Sequence, residues 1–282
     1  MAGIDTSSHP DPERSEGEGP GHGAAGPGPS TAPQDDFSGY LMSLADDRLV
    51  LGHRLSEWTG HGPILEEDIA LANIALDLIG QATLLLGAAG EAEGQGRDAD
   101  ALAYFRDARE YRNVQLVELP KGDFGFTIVR QFLFDAFDVL LTEALTKSSH
   151  EALAGIMAKA HKEARYHLRH SAEWVIRLGD GTEESHRRAQ AALDDCWRFT
   201  GELFDADDAT RTLAARGIGV DPATLRARWD ERVQAVVRQA TLVLPTDPAQ
   251  MRGGRSGRHT EHLGHMLAEM QIVARSHPGA SW

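Results

Sequence analysis

Acidic side chains stand among large apolar neighbours in four separate segments of this sequence. They are Glu57, Asp77, Asp135 and Glu163. A helical bundle that brings one carboxylate from each of four helices to its centre can hold two bridged metal ions. In such a site, two of the helices also supply a histidine three residues after the carboxylate, because side chains at i and i+3 project to the same side. A carboxylate-bridged di-metal site is therefore the first chemistry to consider.

The two histidines of that site are absent at the expected spacing. Gly80 stands three residues after Asp77 and offers no ligand atom, and Tyr166 stands three residues after Glu163. A neutral phenol is a poor metal ligand. His167, four residues after Glu163, is the one histidine that could substitute. Acids without imidazole partners favour a hard ion over a redox-active pair of iron ions.

We interpret these positions as the remnant of a metal site, with Glu57 and Asp135 as the former single carboxylates. Hydrogen bonds and pairing with Arg130 and Gln131, one turn before Asp135, would then hold the buried acids. The sequence thus predicts no catalytic residue, no bound cofactor and no metal in this chain. Two alternatives remain open: a working di-metal site that includes His167, and partly exposed acids with no common role.

A glycine- and arginine-rich segment near the C-terminus is the second candidate site. A loop of this kind before a helix N-terminus can bind an anion through its backbone N–H groups and arginines. The spacing is not that of a P-loop. We interpret the segment as a structural loop or a contact with another subunit, with contact to CoA or another anion as the alternative. The residues concerned are Arg252, Arg255, Arg258 and His259.

Long helical segments must position these residues. Apolar periodicity predicts helices over residues 41–58, 64–90, 124–149 and 150–178, with shorter ones over 100–119, 182–204, 221–241 and 259–275. Asp123 and Thr182 are predicted N-caps, and Gly87 and Gly90 are predicted to end the second helix. Only 240–244 looks extended. The prediction is an all-α, ferritin-like four-helix bundle with additional helices.

Composition limits the class of protein. The formal net charge is −15, which disfavours nucleic acid and anionic membranes as partners. No uninterrupted apolar run reaches the roughly 18 residues of a membrane span, and the N-terminus does not resemble a secretory signal. The single cysteine, Cys196, favours a cytoplasmic protein without disulfides. Residues 1–36, rich in Gly, Pro and Ser, are predicted to be a disordered tail before a domain over 37–282.

Four long blocks of the sequence are specific enough to suggest a family. They are RLSEWTGHGPILEEDIALANIALDLIGQATLLL, EYRNVQLVELPKGDFGFTIVRQFLFDAF, KEARYHLRHSAEWVIRLGDGTEESHRRAQAALD and GRHTEHLGHMLAEMQIVARSHPGASW. Through these blocks the chain resembles the PaaC family from about residue 40 to its C-terminus. PaaC proteins are subunits of the multicomponent phenylacetyl-CoA epoxidase.

The resemblance implies a ferritin-like fold and a set of partners. These are a homologous subunit, PaaA, whose di-iron centre activates O2 to epoxidise the ring of phenylacetyl-CoA, together with a small bridging subunit and a reductase. It also implies that this chain is a structural subunit with no cofactor of its own, which agrees with the missing histidines. Two alternatives are a di-metal oxidase active on its own and a helical interaction protein unrelated to oxygenation.

Overall fold

Four long helices dominate the computed structural model, which describes residues 33–246 and 249–280. They are α1 (Pro33–Ser56), α2 (Leu65–Glu93), α5 (Phe124–Leu145) and α6 (Glu151–Gly179). Within the described ranges there is no β-strand, so the predicted all-α, ferritin-like fold is confirmed. Residues 1–32 of the predicted tail lie outside the described residues. Residues 33–36, which the prediction also assigned to the tail, belong to α1.

Six shorter α-helices complete the described part of the chain. They are α3 (Ala99–Tyr104), α4 (Gln115–Glu118), α7 (Glu183–Trp197), α8 (Asp208–Ala215), α9 (Arg226–Gln239) and α10 (Glu261–Ser276). Single 3₁₀ turns stand at Ala108–Glu110, Gly201–Phe204, Pro222–Leu225 and Gly254–Ser256. Helix α8 was not predicted from the sequence.

Helix α5 is the central element of the bundle. It is predominantly apolar and buried on nearly all sides, as expected of a helix that other helices surround. It packs against α6, α7 and α9, while α1 packs along α2. Helix α6 is amphipathic, and its buried stripe includes Met157, Ala164 and Val175. Two polar residues, His167 and Ser171, lie on the same buried stripe, so this helix carries polar groups into the interior.

Helix α2 is buried on one side only. Leu71, Leu78 and Leu85 face the core, whereas Leu65 and Leu76 are 71% and 67% exposed. In length and composition it is the one helix of the described residues that could cross a membrane. Polar residues nevertheless interrupt its apolar sequence. A core helix of a bundle has the same composition, and the inner side of α2 packs against α1 and α6.

The predicted helix ends agree with the structure in part. Asp123 accepts a hydrogen bond from the Phe126 N–H at 2.8 Å, and Thr182 caps α7 through Ser185, so both N-caps are confirmed. The predicted end of the second helix at Gly87 or Gly90 is wrong. Helix α2 continues to Glu93 and ends where Gly94 takes a left-handed conformation.

The single helix predicted over residues 100–119 is wrong, because buried acids of α1 capture its backbone. The Arg112 N–H donates to Asp46 Oδ2 and the Val114 N–H donates to Asp47 Oδ1, each at 2.8 Å. Backbone groups held in this way cannot continue a helix. The segment is divided into α3, a 3₁₀ turn and α4.

Two further predictions from the sequence also need correction. Helix α7 ends at Trp197, before the predicted end at residue 204. Residues 240–244 form no strand. Ala240 is the C-cap of α9, and Thr241 has a positive φ of 57°, which lies outside the extended region.

Candidate functional site

A group of polar side chains lies between the four long helices. We call it the buried polar network. Each of the four helices contributes at least one member, and the members contact one another across the bundle. They are Arg48 of α1, Asp77 and Gln81 of α2, Asp135 and Asp138 of α5, and Glu163 and His167 of α6.

Arg48 is the centre of one half of this network. Its side chain is fully buried. The guanidinium donates from Nη2 to Asp138 Oδ1 at 2.5 Å, from Nε to Gln81 Oε1 at 2.9 Å, and from Nη1 to the Leu44 carbonyl oxygen at 2.8 Å. Each nitrogen of the guanidinium therefore has a partner, as a buried charge requires.

Gln81 carries the network from α1 to α6. While its Oε1 accepts from Arg48, its Nε2 donates to Glu163 Oε2 at 2.8 Å. The second oxygen of Glu163 lies 3.6 Å from Lys159 Nζ at the surface. Three helices are thus joined by one chain of hydrogen bonds.

His167 and Asp135 form the other half. His167 Nε2 lies 3.1 Å from Asp77 Oδ2. Burial lowers the pKa of His167, but the hydrogen bond with Asp77 and the charge of Asp135 outweigh it, so that the net pKa is raised. The two oxygens of Asp135 accept hydrogen bonds from Gln131 Nε2 and Ser171 Oγ, each at 2.7 Å.

Burial raises the pKa of Asp135 to about 7, and the nearby His167 and these two hydrogen bonds only partly oppose it. Asp135 therefore releases its proton at a higher pH than an exposed aspartate does.

The side chains of the buried polar network do not fit the ligand set of a pair of bridged metal ions. A permanently charged guanidinium lies among the carboxylates, where it would repel a metal cation. Asp138 and Asp135 already direct oxygens to Arg48, Gln131 and Ser171. Over the ranges 33–246 and 249–280, no three His, Cys, Asp or Glu side chains come together in a geometry suited to a metal ion.

The structure places the predicted site residues in two groups. Asp77, Asp135, Glu163 and His167 belong to the network. Glu57 does not: it follows the end of α1, its side chain is 36% exposed, and it pairs with Arg54 at 2.7 Å.

Gly80 and Tyr166 also lie outside the network. The space beside Gly80 is open, and the exposed ring of Tyr166 stacks on His170. On α2 and α6 the network residues stand four apart, as Asp77 with Gln81 and Glu163 with His167, so the degenerate i, i+3 positions do not enter the network.

Sequence reasoning missed Arg48, the residue that occupies the centre of the site. The signal was present: Asp46, Asp47 and Arg48 are three consecutive charged residues inside an apolar helix, and all three are buried. Pairing of the acids with an arginine was predicted, but for Arg130. That side chain instead donates to the carbonyl oxygens of Leu119 and Pro120, before α5.

The glycine- and arginine-rich segment binds a carboxylate of its own chain. Glu202 Oε1 accepts from the backbone N–H groups of Gly253 and Arg255 at 2.9 and 3.1 Å, and its Oε2 accepts from Gln115 N–H at 2.9 Å. A buried acid thus takes the position that the sequence suggested for an external anion.

Among the described residues, three of the four predicted contact residues have ion-pair partners for their side chains. Arg255 pairs with Asp47 at 2.7 Å, Arg252 pairs with Asp205, and His259 Nδ1 lies 2.9 Å from Glu118 Oε2. Arg258 is exposed. These contacts hold the segment against α1 and α4. A contact with CoA or another subunit at this segment stays a prediction.

Two comparisons with known proteins bear on the role of this site. A family model described as "Phenylacetic acid catabolic protein" matches residues 29–282. The chain is also similar to the C subunit of the 1,2-phenylacetyl-CoA epoxidase of Escherichia coli (strain K12). The two are 51% identical over 248 residues, which make up 88% of this chain and 100% of that relative. Both matches include all members of the buried polar network.

Proposed function

The chain belongs to the phenylacetic acid catabolic protein family, and from this premise we propose that it is the C subunit of a 1,2-phenylacetyl-CoA epoxidase. We further propose that it is a structural subunit without catalytic activity of its own. Its partner would be a homologous catalytic subunit of the PaaA type that carries a di-iron centre. The complex would act in the cytoplasm on phenylacetyl-CoA.

The observation that carries the structural role is the position of Arg48. Catalytic bundles of this kind need carboxylates free to bind metal at the centre of four helices. Here the guanidinium bonds to Asp138 and Gln81 at that centre. An ion pair of this sort keeps the helices in place, but it supplies no ligand that could bind or activate O2.

The exposed side of α2 supports a partner subunit. Leu65, Ile69, Leu76 and Leu84 all point to solvent at helical spacing along this side. The space beside Gly80 and Gly87, on the same helix, is open, so another helix can approach its backbone closely. Large apolar side chains exposed repeatedly along one side of a helix are typical of an interface with another protein. A PaaA-type partner would be helical as well, so we assign these exposed residues to the interface with it.

The first test is the metal content of the full chain, purified alone and purified with its PaaA-type partner. We expect less than about one iron in ten chains for the isolated protein, and iron in the complex in proportion to the partner. Epoxidation of phenylacetyl-CoA should require both subunits. Glu163→Ala serves as the probe of the buried network, and should leave the iron content of the complex unchanged.

Two results would contradict the proposed function. If the isolated chain binds close to two irons and loses them on Glu163→Ala, the chain is a di-metal oxidase in its own right. If the isolated chain binds no iron and also fails to associate with any PaaA-type subunit, it is a helical interaction protein outside this complex.

A further inference from the structure

A basic groove crosses the surface between α5, α6 and α9, although the chain as a whole is acidic. Its volume is about 570 Å³. The chain as a whole has 43 acidic and 28 basic residues, yet the groove has four arginines against one carboxylate. Its ionisable residues are Glu143, His161, Arg165, Arg169, Arg228 and Arg232.

The single carboxylate does not neutralise these arginines. Glu143 Oε2 accepts from Arg228 Nη2 at 2.8 Å. Arg169 lies over the ring of Tyr166, 5.4 Å from its centre, and has no carboxylate partner in the described residues. For Arg165 and Arg232, too, the described part of the chain offers no acid within salt-bridge distance.

Arg232 is the most informative member. Its Nη1 is buried and has no hydrogen-bond partner among the described residues. Burial, followed by the positive charge of Arg228, lowers the pKa of Arg232, and Glu143 only partly opposes them. A buried N–H donor without an acceptor is costly, so an anion that accepts a hydrogen bond from this nitrogen would remove an existing cost.

We propose that this groove binds the phosphate groups of a nucleotide-sized ligand. Guanidinium groups match phosphate oxygens in pairs, and several arginines together suit a ligand with several negative charges. The volume lies in the range of small-molecule sites. Val139, Leu168 and Val236 supply an apolar floor on which a base or ribose can lie.

The nucleotide part of a CoA thioester and a free nucleotide share this chemistry. Only the choice of CoA as a candidate rests on the proposed function. Failure of CoA binding would leave the iron content and the make-up of the complex unaffected, so the two proposals fail separately.

Isothermal titration calorimetry on the full chain at low salt tests the proposal. The probes are CoA, ADP and pantetheine, which is CoA without its nucleotide. We expect CoA and ADP to bind and pantetheine not to bind. Tighter binding of CoA than of ADP would indicate that its additional phosphate is recognised, and equal binding would indicate a general nucleotide site. Either result supports the proposal.

Substitutions separate a built site from general charge attraction. Arg165→Gln and Arg232→Gln should each weaken ADP binding about tenfold or more. Arg187→Gln, on the exposed side of α7, removes the same charge elsewhere and should have no effect. Circular dichroism would confirm that each variant is folded.

Three results would overturn the proposal. They are no binding of CoA or ADP at millimolar concentration, equal binding of pantetheine, and variants that bind ADP as the unchanged chain does. If the two groove variants instead separate the chain from its partner subunit, and neither CoA nor ADP binds, the groove is a protein interface and the proposal is wrong.

Discussion

At the scale of the residue, Arg48 and Asp135 show how a buried polar site is kept in an apolar bundle. Arg48 neutralises Asp138 directly and satisfies its remaining donors with Gln81 and a backbone carbonyl oxygen. Asp135 has no such cation in direct contact, and burial raises its pKa to about 7. One acid thus pairs directly with a buried cation, whereas burial shifts the other towards its neutral form.

Removal of Arg48 should be costly. Arg48→Leu leaves Asp138 buried without its cation, and we expect the free energy of unfolding to fall by about 3–5 kcal/mol. Urea denaturation measures this loss. The double change Arg48→Leu with Asp138→Leu should recover at least half of it, because no charge is then left unpaired. Arg187→Leu, which breaks an exposed pair with Glu184, should cost much less, because solvent screens exposed pairs. A loss at Arg48 no larger than at Arg187 would contradict the assigned role.

Asp135 should make stability depend on pH. Its pKa rises from the ordinary 3.8 to about 7 in the folded chain. Between these values the folded state binds a proton that the unfolded state has released, so stability falls as the pH rises towards 7. The pKa of His167 is also raised, and it too loses stabilisation as the pH rises through its folded value. Both groups act in the same direction.

The variant Asp135→Asn isolates this effect. We expect its stability, relative to the unchanged chain, to increase from pH 5 to about pH 7 and then to level off, as measured by thermal or urea unfolding at each pH. Asp194→Asn, an exposed change on α7, should show a constant difference over the same range. A constant difference for Asp135→Asn as well would mean that Asp135 titrates normally in the folded chain.

At the scale of the element, α2 has two different sides. The inner side contributes core leucines and Gln81, and the outer side contributes the exposed leucines that we assign to the partner subunit. The segment that includes α3 and α4 has the opposite character, since buried side chains of α1 decide its course. The conformation of a long helix with a strong apolar pattern thus follows from its own sequence. The conformation of a short irregular segment depends on the residues that it packs against.

A charge on the outer side of α2 should disrupt the complex and not the fold. Leu76→Glu replaces a side chain that is 67% exposed, so the isolated chain should keep its unfolding midpoint. Affinity for the PaaA-type partner should fall about tenfold or more, because a buried charge replaces an apolar contact. Size-exclusion chromatography and calorimetry would measure both. Ile272→Glu, 60% exposed on α10, is the matched control. Equal effects of the two changes would remove α2 from the interface.

At the scale of the whole molecule, the sequence predicted the bundle better than its centre. The apolar runs indicated the four long helices, and the caps at Asp123 and Thr182 marked the starts of α5 and α7, because both signals are local. The acids at 77, 135 and 163 were also recognisable, since a charge in an apolar helix needs an explanation. The residue that pairs with the buried acids, Arg48, could not be recognised from the sequence. Arg48 and Asp138 are far apart in the sequence, and only the packing of α1 against α5 shows that they meet.

Cys196 offers a measure of how the whole domain opens. The thiol is fully buried, and burial raises its pKa to about 12. Both conditions suppress reaction, because the thiolate is the nucleophile. We expect less than about one tenth of the chains to react with a thiol reagent in the time that full labelling takes in denaturant. The labelling rate should increase with urea in parallel with unfolding. Fast labelling of the folded chain would show local opening around α7.

The arginine at the centre of the bundle has a consequence for how this subunit behaves when metal ions are scarce. A domain held together by a bound ion loses stability when that ion becomes scarce, because the ion dissociates by mass action. The cation of Arg48 is part of the polypeptide and has no dissociation constant. The central cross-link between α1 and α5 is therefore complete as soon as the chain has folded. A cell short of iron could still accumulate this subunit in a form ready to receive its partner, and a chelator would not loosen this contact.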